Sequence, residues 1–155
     1  MVIILYLERS ENELELAKII SRISDDTELR KDVFNLGSNF TFYSAVISHS
    51  YYSIFYAAKA YLMSKGIKIE SPEEHRKTYD EFKSLVNEGI LDVELLRIYE
   101  QVIIRADTLL EIFLIEKKKR GSFTYQKIAQ ANKDPAKNSL DNARIFFRNI
   151  YNLLD

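Results

Sequence analysis

One stretch of the chain, residues 44–62, has the sequence SAVISHSYYSIFYAAKAYL. It contains no Gly or Pro, and its apolar side chains cover nearly the whole circumference of a helix. We predict a long helix that begins near Asn39 or Thr41 and continues to Lys65, with Gly66 as the stop at its C-terminal end. A helix that is apolar on all sides is buried in the centre of a fold or shared with a partner protein.

Apolar residues at helical spacing predict two helices before this stretch. The first runs from near residue 3 to Ile23. Ser10 and Glu13 resemble a capping box, however, and they leave open a later start at Glu11. A short connecting helix is expected next, from a cap at Asp25 or Asp26 through Val33.

Three more helices are predicted after the stretch, each beginning at a residue type that favours a helix start. A polar loop is expected before the last of them. The predicted elements are a helix to about Glu88 with Ser71, Pro72 and Glu74 as its starting signals, a helix from Asp92 to about Lys119, a loop from Gly121 to Asp134, and a final helix opened by Asp134 and Pro135.

Long helices with short connections favour an all-α fold. With four Gly and two Pro among 155 residues, the chain lacks the turn residues of a fold made of many short strands. We predict a single domain over residues 1–155, an antiparallel (up-and-down) four-helix bundle with an additional short helix. Bundles host many unrelated activities, so the function has to be argued from individual residues.

Composition excludes several kinds of site. The chain has no Cys and only two His, which excludes thiolate chemistry and leaves little material for an imidazole metal site or a Ser-His triad. No Gly-rich phosphate loop or HExxH pattern occurs, and we expect no cofactor and no metal. Lys and Arg number 22 against 23 Asp and Glu, so any attraction to nucleic acid has to be local.

The N-terminal apolar run is short. It extends from Val2 to Leu7, and the charged residues Glu8 and Arg9 follow at once. Such a run is too short for a secretory signal or a membrane span, so we expect a cytoplasmic protein without membrane contact.

The stretch from Ser44 to Leu62 resembles the signature of the HEPN domain family, in which a small residue precedes Tyr-Tyr, followed by Phe and paired alanines. Further segments resemble the family in the same order along the chain. They are Tyr6 to Arg9, Leu16-Ala17, His75, the helix through Phe82, and Arg105 to Asp107. The resemblance implies a helical bundle that is commonly dimeric. Many members are metal-independent ribonucleases of toxin–antitoxin, defence and RNA-processing systems, while others are binding modules or pair with a minimal nucleotidyltransferase.

Catalytic members of the family carry an Arg, commonly with a polar neighbour, and a His on the last helix after four to six intervening residues. The resemblance places Arg148 and Asn149 at the start of this motif. The positions where the His would stand hold Leu153, Leu154 and Asp155 instead. We therefore expect a non-catalytic protein, with a ribonuclease that uses Arg148 and another acid or base as the alternative. Arg148 could also be a solvated or ion-paired residue without a functional role.

His49, Tyr52 and Tyr56 lie at helical spacing in the signature helix and are candidates for a polar pocket that holds a nucleotide. The alternative is a core or interface His that is hydrogen-bonded to a Tyr.

His75 and Arg76, near a helix start, are candidates for an anion contact, or are ordinary surface residues. Arg105 is a further candidate for nucleotide or RNA binding. Arg105 and Asp107 point in different directions on a helix, and each is expected to pair with another helix.

These residues predict a nucleotide- or RNA-associated binding or partner module that forms a homodimer through helix 41–65. The resemblance adds a minimal nucleotidyltransferase as a possible partner in a toxin–antitoxin-like system. A purely structural interaction module that binds no nucleotide is the remaining possibility.

Overall fold

The computed structural model describes the backbone of residues 1–118 and 133–155, and the side chains of residues 1–107 and 133–155. Within these residues the chain forms helices and no strand. In chain order they are α1 (Val2–Asp25), α2 (Thr27–Asp32), α3 (Tyr43–Ser64), α4 (Glu74–Asn87), α5 (Val93–Lys118) and α6 (Lys133–Leu154). The all-α bundle predicted from the sequence is confirmed. Most of the loop predicted over Gly121 to Asp134 lies outside the described residues.

Helix α3 is the centre of the bundle and packs against α1, α4, α5 and α6. It runs antiparallel to α1, because Ser10 near the start of α1 contacts Ser53, whereas Ser24 at the end of α1 contacts Tyr43 at the start of α3. Its fully buried apolar residues supply much of the core; they are Val46, Ile47, Ile54, Ala57, Ala58, Ala60 and Leu62. The expected central burial of this helix is confirmed.

Several predicted helix ends are present in the structure. The Asp26 carboxylate accepts a hydrogen bond from the Leu29 N–H at 2.9 Å and caps α2, and the Asp92 carboxylate accepts one from the Glu94 N–H at 2.8 Å at the start of α5. Gly66 follows α3 with φ of 78°, a left-handed conformation that Gly adopts at little cost. Local residue chemistry therefore sets these boundaries.

The later start of α1 at Glu11 is wrong, because the helix begins at Val2. Ser10, the proposed cap, is fully buried and donates a hydrogen bond of 2.6 Å to the Ser53 carbonyl oxygen of α3. Its hydroxyl holds two helices together. The start of α3 also differs from the prediction, since the helix begins at Tyr43 without a side-chain cap.

The starting signals proposed for α4 are wrong as well. The helix begins at Glu74, and Glu73 occupies the cap position with φ of 64° and no capping side chain. Ser71 donates a hydrogen bond of 2.8 Å to the Glu74 carboxylate, but that carboxylate also binds Lys59 of α3. Glu74 is thus held by a tertiary contact and does not cap its own helix.

Candidate functional site

An aromatic cluster, formed by Tyr51, Tyr52, Phe55 and His75, joins α3 to the first turn of α4. The His75 and Phe55 rings are stacked, with 4.0 Å between their centres and an angle of 15° between their planes. His75 Nδ1 is hydrogen-bonded to the Tyr51 hydroxyl at 2.8 Å, and Tyr52 meets the imidazole edge-on. The imidazole is therefore fixed on three sides by aromatic neighbours.

Burial shifts the titration of this cluster. It lowers the pKa of His75; the Lys59 cation acts in the same direction, and Glu74 opposes it. It also raises the pKa of Tyr51 to about 12, with Tyr52 and Asp107 adding to the effect. At neutral pH His75 is a neutral ring, which suits it to stacking and hydrogen bonding more than to holding an anion by charge.

A buried cation anchors the same end of α4. Lys59 is 7% exposed, and its ammonium lies 2.7 Å from the Glu74 carboxylate and 4.7 Å from the centre of the Tyr6 ring. Burial alone would lower the pKa of Lys59, but the contacts with Glu74 and Tyr6 outweigh it and raise the pKa. The hydrogen bond from Lys59 lowers the pKa of Glu74 in turn. This pair fixes α4 to α3.

His49 faces α1. Its Nδ1 lies 2.5 Å from the Glu13 carboxylate, which also pairs with Arg9 at 3.4 Å. The interpretation of His49 as a core His bonded to a Tyr is wrong, since its partner is Glu13.

Tyr52 and Tyr56, which were predicted to share a pocket with His49, contact other residues instead. Tyr56 stacks on Tyr6 of α1 and lies beneath the Arg9 guanidinium, whereas Tyr52 belongs to the aromatic cluster. The predicted pocket of His49, Tyr52 and Tyr56 is thus divided between the α1 and α4 sides of α3.

A groove of about 480 Å³ lies beside the aromatic cluster, between α3, α4 and α5. We call it the α4–α5 groove. Its lining residues are Tyr51, His75, Arg76, Tyr79, Glu100, Ile103 and Ile104. The Tyr79 hydroxyl donates a hydrogen bond of 2.6 Å to the Glu100 carboxylate, and burial together with this contact raises the pKa of Tyr79 to about 12. His75 and Arg76, the two candidates near the start of α4, both line this groove, and their contact with an anion stays a prediction.

The polar residues Tyr79 and Glu100 of this groove were among those missed as site residues from the sequence. Tyr79 lies one turn after His75 and Arg76 on α4, a spacing of four and three residues, so the helical period could have placed it on their side. Glu100 lies on α5, and nothing in the sequence pairs it with Tyr79.

A second groove, of about 580 Å³, lies between α1 and α6 and contains Arg148. We call it the α1–α6 groove. Its lining residues are Glu11, Leu14, Glu15, Lys18, Arg144, Phe147, Arg148 and Tyr151, and no imidazole is among them. Asn149 donates a hydrogen bond of 2.8 Å to the Ile145 carbonyl oxygen of its own helix. Arg148 and His75 therefore line different grooves, and His49 lines neither of them.

A model of the HEPN domain matches residues 30–152, which contain α3, α4 and α5 entirely and most of α6. The chain belongs to the HEPN domain family. A curated protein of Methanocaldococcus jannaschii named "Putative toxin MJ0142" is 34% identical over 82 residues. The aligned segment covers 52% of this chain, which spans about half (51%) of that relative's length. No solved structure matches the chain.

The remaining candidate of this HEPN domain is Arg105 on α5. Arg105 and Asp107 are both exposed, and neither forms an ion pair with a residue whose side chain the structure describes. The prediction that each pairs with another helix is wrong for this part of the chain. Both side chains are exposed, so water solvates their charges, and among the described residues the contact of Asp107 with another helix is limited to its electrostatic effect on Tyr51.

Among the described side chains, no three His, Asp or Glu lie close enough together to hold a metal ion. No helix in the described part of the chain is both long and apolar enough to cross a membrane.

Proposed function

We propose that this HEPN domain is a non-catalytic, cytoplasmic module that binds a nucleotide or RNA and acts with a partner protein in a toxin–antitoxin-like system. One observation carries the proposal: Arg148 lies in a groove that no imidazole lines. The relative from Methanocaldococcus jannaschii is named a toxin, and this name supports the toxin–antitoxin-like part of the proposal.

The chemistry of RNA cleavage explains why the imidazole matters. Without a metal, attack on the RNA phosphate needs a group that accepts and returns a proton near neutral pH, and His suits this role best. His49 is held by Glu13, and His75 is held by Tyr51 and Phe55. Arg148 alone can bind a phosphate through its planar donors, which supports binding without cleavage.

Binding is tested by titrating the full chain with mononucleotides and with a short single-stranded RNA while its thermal unfolding is followed. A ligand that binds only the folded state raises the melting temperature, and the rise grows with the logarithm of its concentration relative to its dissociation constant. We expect such a rise. No rise with any of these ligands would favour the purely structural interaction module.

The homodimer remains a proposal, but the surface that α3 offers is small. The apolar residues that suggested a dimer through helix 41–65 are buried within the chain itself. On α3, the exposed stripe consists of Ser44, Ser48 and Tyr52. A dimer through this helix would use that stripe. Tyr52→Arg places a charge in it and should therefore give a monomer, as measured by light scattering. A monomeric wild-type chain at working concentration would reject the dimer.

The minimal nucleotidyltransferase is the partner that we propose from the family. Co-expression of the tagged chain with the nucleotidyltransferase encoded nearest to it should yield a stable complex on affinity purification. Repeated recovery of the HEPN domain alone would count against this partner.

The alternative function is a metal-independent ribonuclease that uses Arg148. It is favoured by the carboxylates of Glu11 and Glu15, which line the same groove and could replace the imidazole as a base. If this alternative holds, purified chain cleaves RNA in the presence of a chelator, and Glu15→Gln reduces the rate.

A further inference from the structure

The α4–α5 groove has the walls of a site for a flat ring. Tyr51 and Tyr79 give it aromatic surface, and Ile103 and Ile104 give it aliphatic surface. Its volume of about 480 Å³ falls within the range of about 300–1,000 Å³ for small-molecule sites, which are mostly apolar with a few placed polar groups. Nucleobases bind such surfaces by stacking, because every base has an aromatic face.

The aromatic wall is rigid. His75 is stacked on Phe55 and hydrogen-bonded to Tyr51, and the Tyr79 hydroxyl is hydrogen-bonded to Glu100. A wall whose side chains are already fixed loses little conformational entropy when a ligand binds. The hydroxyls of both lining tyrosines are satisfied within the protein, so specificity has to come from the other polar groups of the groove.

Arg76 brings a cation to the groove near the start of α4. It is exposed and pairs with Glu73 three residues earlier, an ion pair at the surface that is weak and easily exchanged. No side chain caps the start of α4, and the Glu74 carboxylate of its first turn is engaged by Lys59 and Ser71, so the first N–H groups can donate to an anion. Arg76 and this helix start together form a place for a phosphate group.

Beside Tyr79, which lies one turn further along α4, the groove presents the carboxylate of Glu100 from α5. One oxygen of Glu100 accepts the hydrogen bond from Tyr79, and the carboxylate keeps further acceptor capacity. Guanine carries two adjacent N–H donors on its Watson–Crick edge, at N1 and N2, which match a carboxylate. Adenine has an acceptor at N1, which a carboxylate repels.

We infer that the α4–α5 groove binds a guanine nucleotide, with the base between Tyr79 and the two isoleucines, its donor edge on Glu100, and its phosphate at Arg76. The inference deepens the proposed function, since it names the ligand class and the place where it binds. The groove is separate from that of Arg148, so the two parts of the account can fail independently.

The test measures the affinity of the full chain for GMP, AMP and guanosine by calorimetry, with two variants and two matched controls. Glu100→Gln keeps an acceptor for Tyr79 but replaces the carboxylate, and Arg76→Ala removes the phosphate contact. Glu94→Gln and Arg97→Ala are the controls, because Glu94 and Arg97 form the same kind of exposed pair, three residues apart, outside the groove.

We expect GMP to bind about tenfold or more tightly than AMP, and Glu100→Gln to remove that preference by weakening GMP alone. Arg76→Ala should weaken GMP about tenfold and leave guanosine unchanged. Both controls should match the wild type.

Three results would overturn the inference. Equal or tighter binding of AMP would refute the base contact, and GMP affinity that neither variant changes would refute the site. If short RNA binds but GMP does not, the groove assignment fails while the proposed function stands. If neither RNA nor any nucleotide binds, both fail.

Discussion

Lys59 and Glu74 show how one charged pair positions the candidate site. Lys59 is buried, whereas the Glu74 side chain is 36% exposed, so removing each partner has a different consequence. Glu74→Gln leaves a buried cation without its counter-ion and should cost about 1–3 kcal/mol. Lys59→Met replaces the cation by an apolar chain of similar length and leaves a carboxylate that water can reach, so it should cost less.

Urea denaturation of the two variants measures this difference. Arg97→Ala, which removes an exposed pair of α5, is the control and should leave the free energy of unfolding close to that of the wild type. A larger loss for Lys59→Met than for Glu74→Gln would contradict the role given to this pair.

His75 makes stability depend on pH. Its pKa lies below the ordinary value of 6.5, so the folded protein favours the neutral ring more than the unfolded chain does. The resulting stabilisation is fully present above about pH 6.5 and is lost as the pH falls through the lower pKa of the folded state.

We therefore expect the wild type to lose more stability between pH 7.5 and 5.5 than His75→Phe, which keeps a ring on Phe55 but does not titrate. Urea denaturation at the two pH values measures this. The Glu74 carboxylate, whose pKa is lowered, titrates below this window, and His49 is common to both proteins. Identical losses in the two proteins would exclude His75 as the source.

At the scale of elements, Arg30 of α2 joins two helices and the loop that follows them. The buried guanidinium donates hydrogen bonds to the carbonyl oxygens of Ile23, Ser24 and Ser38, at 2.9, 2.5 and 3.0 Å. A single ammonium cannot reach these positions with the same geometry. Arg30→Lys should lower the free energy of unfolding by about 2–3 kcal/mol in urea denaturation.

Arg22→Lys is the matched control, because Arg22 is an exposed residue in the last turn of α1. Its free energy of unfolding should stay close to that of the wild type. Equal stability of Arg30→Lys and wild type would show that this connector does not depend on the guanidinium.

The helix boundaries show which parts of the fold the sequence predicts. Asp26, Asp92 and Gly66 act on groups within a few residues of themselves, so their chemistry is visible in the sequence. Ser10 and Ser71 look like caps by the same rules, but one hydroxyl bonds to α3 and the other to a carboxylate held by Lys59. Tertiary partners override local signals, and a single sequence does not reveal those partners.

The candidate site was predictable only in part, for the same reason. His75 and Arg76 are adjacent in sequence, and the structure places both in one groove. The partners that define their surroundings lie on α3 and α5, and Glu13, the partner of His49, lies on α1. These contacts depend on how helices pack, which periodicity alone does not determine.

At the scale of the whole molecule, the bundle separates two potential sites. The α4–α5 groove contains the imidazole of His75, and the α1–α6 groove contains the guanidinium of Arg148. Cleavage of RNA by the family's usual chemistry requires both groups at one phosphate. We propose that their separation within the chain explains why this HEPN domain binds RNA without cleaving it.

The most direct measurement is the cleavage of RNA by the purified wild type and by Arg148→Ala, in the presence of a chelator that removes contaminating metals. Arg144→Ala, a second arginine of the same groove, serves as the control for loss of charge. The account predicts that the RNA remains intact with all three proteins. Cleavage by the wild type that Arg148→Ala abolishes and Arg144→Ala retains would contradict it and establish the ribonuclease instead.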